Sequence, residues 1–286
     1  MAHLITPVLL AGGRGSRLWP LTGTHRPKPF LRPFSQHSLF QETLARVRDF
    51  APPVVITEEQ NFAQAAREAK AMDIHPSFIL EPDGRGTAAA LITAALSLKE
   101  TDGLMLVMPC DHFIPDPDGL FENIVQDVMH HAQENIVLLG VEPEGPDPRY
   151  GYIEIDRAKP VPYPVFGFKE KPPVETAREM IAEGNYLWNT GMFMAPPALF
   201  LERCAALRPS LYNDVVKAFE AGSRDQAAFR PSADLYRDIR AESIDRAILQ
   251  RCKDLLCCPL GLPWYDVGCW SMFLTLKFRR FMNRPV

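Results

Sequence analysis

The sequence predicts an α/β protein built on a mostly parallel sheet with helices on both faces. Two observations carry that expectation. Short β-rich runs alternate with helical stretches through the first half of the chain. Those runs are apolar at consecutive positions, as in strands buried on both sides, where a half-solvated strand would alternate.

The predicted elements follow in order. Residues 8–11 form a strand that ends in glycines, and Pro7 is tolerable there as the first residue of the strand. Residues 54–57 form a second strand, followed by a helix over 62–71. Residues 78–80 form a third, followed by an alanine-rich helix over 87–98. Residues 104–108 and 136–141 complete the series. Beyond Val141 the rhythm changes: 143–148 reads as a loop, 152–155 and 165–168 as antiparallel or mixed strands, with helices after them. Ser243 is a candidate N-cap for a helix running through Ile244, Ala247 and Ile248, and a last helix is expected from about Trp270 to Phe281. With no internal repeat and no low-complexity linker, residues 1–286 read as a single domain with halves at about 1–141 and 142–286.

Composition narrows the function. A net charge of −4 argues against coating nucleic acid or an anionic membrane, while leaving room for a local basic pocket. No run of about 18 apolar residues is present, and the N-terminus lacks the pattern of a signal peptide. The six cysteines never form C-x-x-C; they read as reduced, packed thiols of a cytoplasmic protein, and zinc is not expected.

The segment from Leu10 to Pro20 (LAGGRGSRLWP) is the first chemical signal. Glycines directly after a strand let backbone N–H groups approach phosphate oxygens. A dinucleotide fingerprint would need a third glycine where Leu18 stands, and the lysine-containing P-loop pattern is absent. A plain tight turn is the competing reading. The surroundings tip the balance: residues 1–41 contain no Asp or Glu but include Arg14, Arg17, Arg26, Lys28 and Arg32. Cations without interspersed acids suit a polyanion such as a nucleoside triphosphate. Pro27 and Pro29 stiffen the backbone around Lys28.

Phosphate chemistry also calls for a shared magnesium ion. Asp111 follows the run 104–108 and so lies at the carboxyl end of a strand, where open α/β sheets bind ligands. Asp266, among Trp264, Tyr265 and Val267, reads as a constrained carboxylate that needs a partner. A turn or a helix cap is the alternative for each. His112 reads as a hydrogen-bonding support, and His130 and His131 as inert residues of a surface helix.

These segments together resemble the sugar nucleotidyltransferase family, most closely its mannose-1-phosphate guanylyltransferases. Besides LAGGRGSRLWP, the likeness rests on RPKPFL from Arg26, EPDGRGTAAA from Glu81, MPCDH from Met108 and RYGYIE from Arg149. It continues through FKEKP from Phe168, WNTGMF from Trp188, ESIDRAI from Glu242 and WYDVGCW from Trp264. The resemblance implies a Rossmann-like, doubly wound domain. It implies that Leu10, Ala11, Gly12, Gly13, Gly15 and Ser16 wrap the nucleotide, and that Arg17 and Lys28 hold the triphosphate and departing pyrophosphate. Asp111 and Asp266 would bind Mg²⁺, and Lys171 would grip the sugar 1-phosphate. Gly151, Glu170 and Asn189 would line the sugar site, with Glu81, Arg85 and Thr87 near the base or ribose. The implied partners are GTP, mannose 1-phosphate, GDP-mannose and pyrophosphate, with no nucleic acid and no membrane; a homodimer is an admissible assembly.

Gly86 and Ala89 stand where the family commonly has asparagine and proline, which bears on the base contacts. Longer relatives carry a C-terminal β-helical or isomerase domain; the chain ends twenty residues after Asp266, so none is expected. A sugar 1-phosphate oxygen is ionised at neutral pH and needs no general base. Direct in-line displacement at the α-phosphorus is therefore expected, favoured by preplaced cations and backbone N–H groups. Cys110 as a covalent nucleophile is disfavoured because no orienting triad accompanies it. Two alternatives remain open: a pyrophosphorylase for another sugar, such as a GDP-heptose or other NDP-hexose enzyme, and a catalytically silent regulatory paralogue.

Overall fold

The computed structural model describes residues 4–13, 15–23 and 27–281. The strands in chain order are β1 (Ile5–Leu10), β2 (Val54–Glu58), β3 (Ser77–Glu81), β4 (Leu104–Pro109), β5 (His112–Phe113), β6 (Ile136–Val141) and β7 (Gly151–Ile155). They continue with β8 (Tyr163–Glu170), β9 (Tyr186–Ala195), β10 (Ser223–Arg224), β11 (Ala228–Arg230), β12 (Leu255–Pro259) and β13 (Tyr265–Asp266). The helices are α1 (Leu39–Arg46), α2 (Phe62–Lys70), α3 (Gly86–Ser97), α4 (Pro117–Asn123) and α5 (Val174–Glu183). After them come α6 (Pro197–Leu207), α7 (Pro209–Glu220), α8 (Ala233–Arg237), α9 (Ile244–Ala247) and α10 (Trp270–Phe281).

Eleven strands make one sheet in the order β10-β11-β3-β2-β1-β4-β9-β6-β12-β8-β7. Strands β3, β2, β1 and β4 run parallel, and β9 enters antiparallel between β4 and β6. Consecutive apolar residues are divided between the faces, as the sequence pattern requires. Ile5 and Leu9 of β1, Leu106 and Met108 of β4, and Val137 and Leu139 of β6 join one core. Val8, Met105, Val107 and Leu138 join the other. Helix α3 is apolar all round and lies buried against α6, α7 and α9; its alanines let those helices approach closely.

The predicted α/β sheet is present, with three corrections. Pro7 is the third residue of β1, a central strand, and not its first. Pairing to β2 begins only at Val8, while Ile5 O accepts from Ala51 N. Because hydrogen-bonding sides alternate along a strand, the missing N–H of Pro7 points to β2's side, where the ladder has not begun. The second correction is α9, which stops at Ala247, short of Ile248; Ser243 does cap it, accepting from Arg246 N. His130 falls in a turn, not a helix, and His131 opens a 3-10 turn.

A third, smaller core of Leu18, Leu31, Leu39, Phe113, Tyr265, Val267, Phe273 and Leu276 packs α10 onto the end of the glycine loop and onto β5 and β13. At about 1.5–3 kcal/mol for each fully buried large apolar side chain, this cluster is what holds those loops as one surface.

Candidate active site

The glycine loop is anchored by its neighbours at the carboxyl edge of the sheet. Cys110 N donates to Leu10 O (3.0 Å), Ala11 N to Ile56 O (2.9 Å), and Thr57 Oγ1 to Ala11 O (3.0 Å). Gly13 and Gly15 have φ of +96° and +62°, a region other residues enter only at a cost. At Gly15 a Cβ would also come within 2.7 Å of the Lys28 Cβ, so the loop can rest on Lys28 only with glycine here. Cβ positions at Gly12 and Gly13 meet nothing within 4 Å, so their backbone borders open space. Ser16 begins a short 3-10 turn that includes Arg17, and the Arg17 guanidinium lies within 3.1 Å of where a Cβ on Gly268 would be. Arg14 and Arg26 lie outside the described residues.

Lys28, Asp111 and Asp266 meet at one point. Lys28 sits between two prolines at the start of a 3-10 turn whose residues are buried. Its ammonium donates to Asp111 Oδ2 at 2.7 Å and to Asp266 Oδ1 at 2.8 Å. The aspartates, 155 positions apart in sequence, are joined by the two-stranded pairing of β5 with β13, which sets Asp266 opposite His112. Burial acts to raise the Asp111 pKa, but the Lys28 ammonium, His112 and the hydrogen bonds to the carboxylate together outweigh it and hold the carboxyl well below the usual range. Burial likewise acts to lower Lys28, and the two carboxylates outweigh it, so the lysine stays charged. His112 Nδ1 accepts from Trp264 Nε1 (3.2 Å), leaving Nε2 to carry the proton 3.6 Å from Asp111 Oδ1. Beneath them, the buried Arg46 donates to the His112 carbonyl at 3.0 Å. Cys110 is fully buried and burial pushes its thiol up, which removes it as a nucleophile.

The second group lies on β7, β8 and β9. Gly151 pairs with Glu170 on one side and Asn189 on the other. A Cβ on Gly151 would come within 2.8 Å of Glu170 Oε2, so the carboxylate occupies the space that glycine leaves. A bulge opposite Leu139 and Gly140, with Gly191 at φ +69°, breaks the register beside Asn189 and re-aims it in the middle of β9. Lys171 has φ of +46°, an uncommon conformation for lysine, and its ammonium contacts Glu170 Oε1. Arg149 bridges this group to the first: it pairs with Asp147 and contacts Cys269 Sγ, three residues beyond Asp266.

The third group is the start of α3. Glu81 is buried, accepts from Tyr236 Oη at 2.7 Å, and is pushed up to about 7 by that burial. Arg85 Nε is buried without a hydrogen-bond partner among the described residues. Thr87 Oγ1 accepts from Ile244 N at 2.8 Å. Gly86 has φ of +80°, and a Cβ there would come within 2.3 Å of the Glu242 carbonyl oxygen.

All three groups therefore sit along the carboxyl edge of one sheet. Sequence reasoning assigned no role to Asp245, whose Oδ1 accepts from Asn189 Nδ2 at 2.9 Å. It passed over Tyr236 and Arg149 in the same way. Asp245 and Arg149 lie inside segments that carry the family resemblance, and nothing local in the sequence distinguishes Tyr236 from a core tyrosine.

The class of protein that this architecture defines is the nucleotidyl transferase family. The chain belongs to it: the family profile matches residues 6–279. Xanthan biosynthesis protein XanB of Xanthomonas campestris pv. campestris (strain B100) is 37% identical over 279 residues, which is 96% of this chain and 59% of that protein. Mannose-1-phosphate guanylyltransferase of Escherichia coli (strain K12) is 37% identical over 278 residues, covering 93% of this chain and 58% of the relative. The chain spans about three fifths of the length of these curated relatives. A crystal structure described as a mannose-1-phosphate geranyltransferase from Thermus thermophilus superposes with a TM-score of 0.83 at 30% identity, covering 98% of this chain and 80% of that one.

Proposed function

We propose that the chain transfers a guanylyl group from GTP to α-D-mannose 1-phosphate, giving GDP-mannose and pyrophosphate. The observation that carries this reading is the meeting of Lys28 with Asp111 and Asp266 at the carboxyl ends of β1 and β4, below the glycine loop. The family membership and the names of the relatives support the sugar and the base.

Mg²⁺ fits this site. Two carboxylates converge within 2.8 Å of a single cationic atom, Asp111 is held ionised, and hard oxygen donors are what magnesium takes. Asp111 and Asp266 would hold the ion, which when bound neutralises charge shared with the phosphates. The remaining work belongs to the chain's own groups. Backbone N–H groups of Gly12 and Gly13, bordering open space, bind phosphate oxygens. Arg17, beside Gly268, and Lys28 stabilise the charge that moves onto pyrophosphate. Lys171, held against Glu170, orients the attacking sugar phosphate. No side chain has to remove a proton.

The test is a pyrophosphate-release assay with Mg²⁺ that crosses four nucleoside triphosphates with mannose, glucose and heptose 1-phosphates. GTP with mannose 1-phosphate should be the best pair. A better heptose or glucose substrate would reassign the sugar, and no release with any pair would leave a regulatory, nucleotide-sugar-binding role.

A further inference from the structure

We infer that Asp245 is a specificity-determining residue that accepts a hydrogen bond from a hydroxyl of the sugar, working as a pair with Glu170. The inference rests on the proposed sugar-phosphate reading of the β7–β9 site.

Asp245 stands in the first turn of α9 and is only half-buried as a residue. Its carboxylate accepts from Asn189 Nδ2 through Oδ1 and from its own backbone N–H. Asn189 is itself largely committed: Nδ2 donates to Asp245 and Oδ1 accepts from Gly191 N at 3.0 Å. The remaining acceptor capacity at this spot therefore belongs to the Asp245 carboxylate, and Asn189 acts to aim it. Burial, and after it the nearby Glu170, raises the Asp245 pKa, while the hydrogen bond from Asn189 and, more weakly, Lys171 partly offset this. Lys171 already contacts Glu170. Asp245 has no ion-pair partner of its own among the described residues, so two carboxylates beside one lysine are poorly compensated from within the protein. Neutral hydroxyl donors satisfy both, whereas an anionic group would add a third negative charge. The sugar ring matches that demand and its phosphate does not.

The segment that carries Asp245 is fixed in place. Glu242 N donates to Arg85 O (3.3 Å), Ala88 N to Glu242 O (3.2 Å), and Ile244 N to Thr87 Oγ1 (2.8 Å). Ser243 caps the turn. A carboxylate held on both sides in this way is pre-organised for recognition.

The test uses Asp245→Asn, which keeps an oxygen for Asn189, and the 2-, 3-, 4- and 6-deoxy analogues of the sugar 1-phosphate that the wild type uses best. The variant should raise KM for the sugar phosphate about 10- to 100-fold, the worth of a hydrogen bond to a charged acceptor, with KM for GTP unchanged. One deoxy analogue that is poor for the wild type should lose its penalty in the variant. If Asp245→Asn does not fold, Asp245→Ser is assayed in the same series. A variant that keeps the wild-type penalty at every position overturns the proposal, as does an equal rise in both KM values, because a merely structural Asp245 would give either result. Wild-type protein that turns over no sugar 1-phosphate refutes the functional reading itself.

Discussion

The Lys28 ammonium lies 2.7 Å from Asp111 Oδ2, and the same nitrogen reaches Asp266 Oδ1 at 2.8 Å. On the proposed Mg²⁺ assignment, lysine and divalent cation would compete for the same oxygens, and nucleotide binding would have to draw Lys28 toward phosphate to free both carboxylates for the metal.

Lys28→Met should therefore have opposite effects on stability and on metal affinity. Removing one partner of a largely buried ion pair costs about 3 kcal/mol, here somewhat less because the aspartates keep side-chain exposures of 30% and 21%. Mg²⁺ should raise the melting temperature of the variant more than that of the wild type, since metal replaces the lost charge. Equal Mg²⁺ shifts in calorimetry would show that the ion binds elsewhere.

Asp111→Asn should lower turnover by about 10²-fold, the loss expected for a key electrostatic stabiliser, without loss of fold. Its stability should also lose an acid-limb component. The folded pKa of Asp111 is depressed. Its contribution is therefore present above the unfolded value near 4 and disappears as pH falls through the folded one. Denaturation curves for wild type and variant should converge on acidification through that window and stay apart at neutral pH.

Glu81 acts in the opposite direction. Its folded pKa is raised to about 7 by burial. Stability from the neutral form is complete below the unfolded value of about 4.3 and is lost as pH rises to 7, by a total on the order of 3 kcal/mol. Glu81→Gln should flatten the wild-type decline between pH 5 and 7 in chemical denaturation. Parallel curves for the two proteins would mean that Glu81 is ionised throughout.

Gly86→Asn restores the residue common in the family, yet it should destabilise this protein. Asparagine tolerates positive φ, but its Cβ would come within 2.3 Å of the Glu242 carbonyl oxygen. A cost of about 1–3 kcal/mol, as for overpacking, should appear as a lower melting temperature together with weaker GTP binding. Gly86→Ala adds backbone strain and should be worse. An unchanged melting temperature for either would mean that the 242–245 segment readily moves away.

Lys171→Ala should raise KM for the sugar phosphate well above its effect on GTP, measured under the same saturating conditions. A comparable rise for both substrates would place Lys171 outside the sugar-phosphate site.

The α/β class, the parallel strands and the acid-free glycine segment were legible in the sequence because each depends on local pattern: consecutive apolar runs, glycine after a strand, cations without acids. Ile136–Val141 and Trp270–Phe281 have the expected bounds for the same reason. Strands β9 and β12 went unread, although β9 lies at the centre of the sheet, between β4 and β6. Its WNTGMF stretch is bent by a bulge, and an antiparallel insertion has no signature along the chain. The pairing of Asp111 with Asp266 through Lys28, the aiming of Asp245 by Asn189, and the demand for glycine at position 86 belong to tertiary structure alone. Each is a contact between segments distant in sequence, fixed by sheet register and by buried backbone hydrogen bonds. Residue types and spacing determine which groups a chain can offer, and packing decides which of them meet.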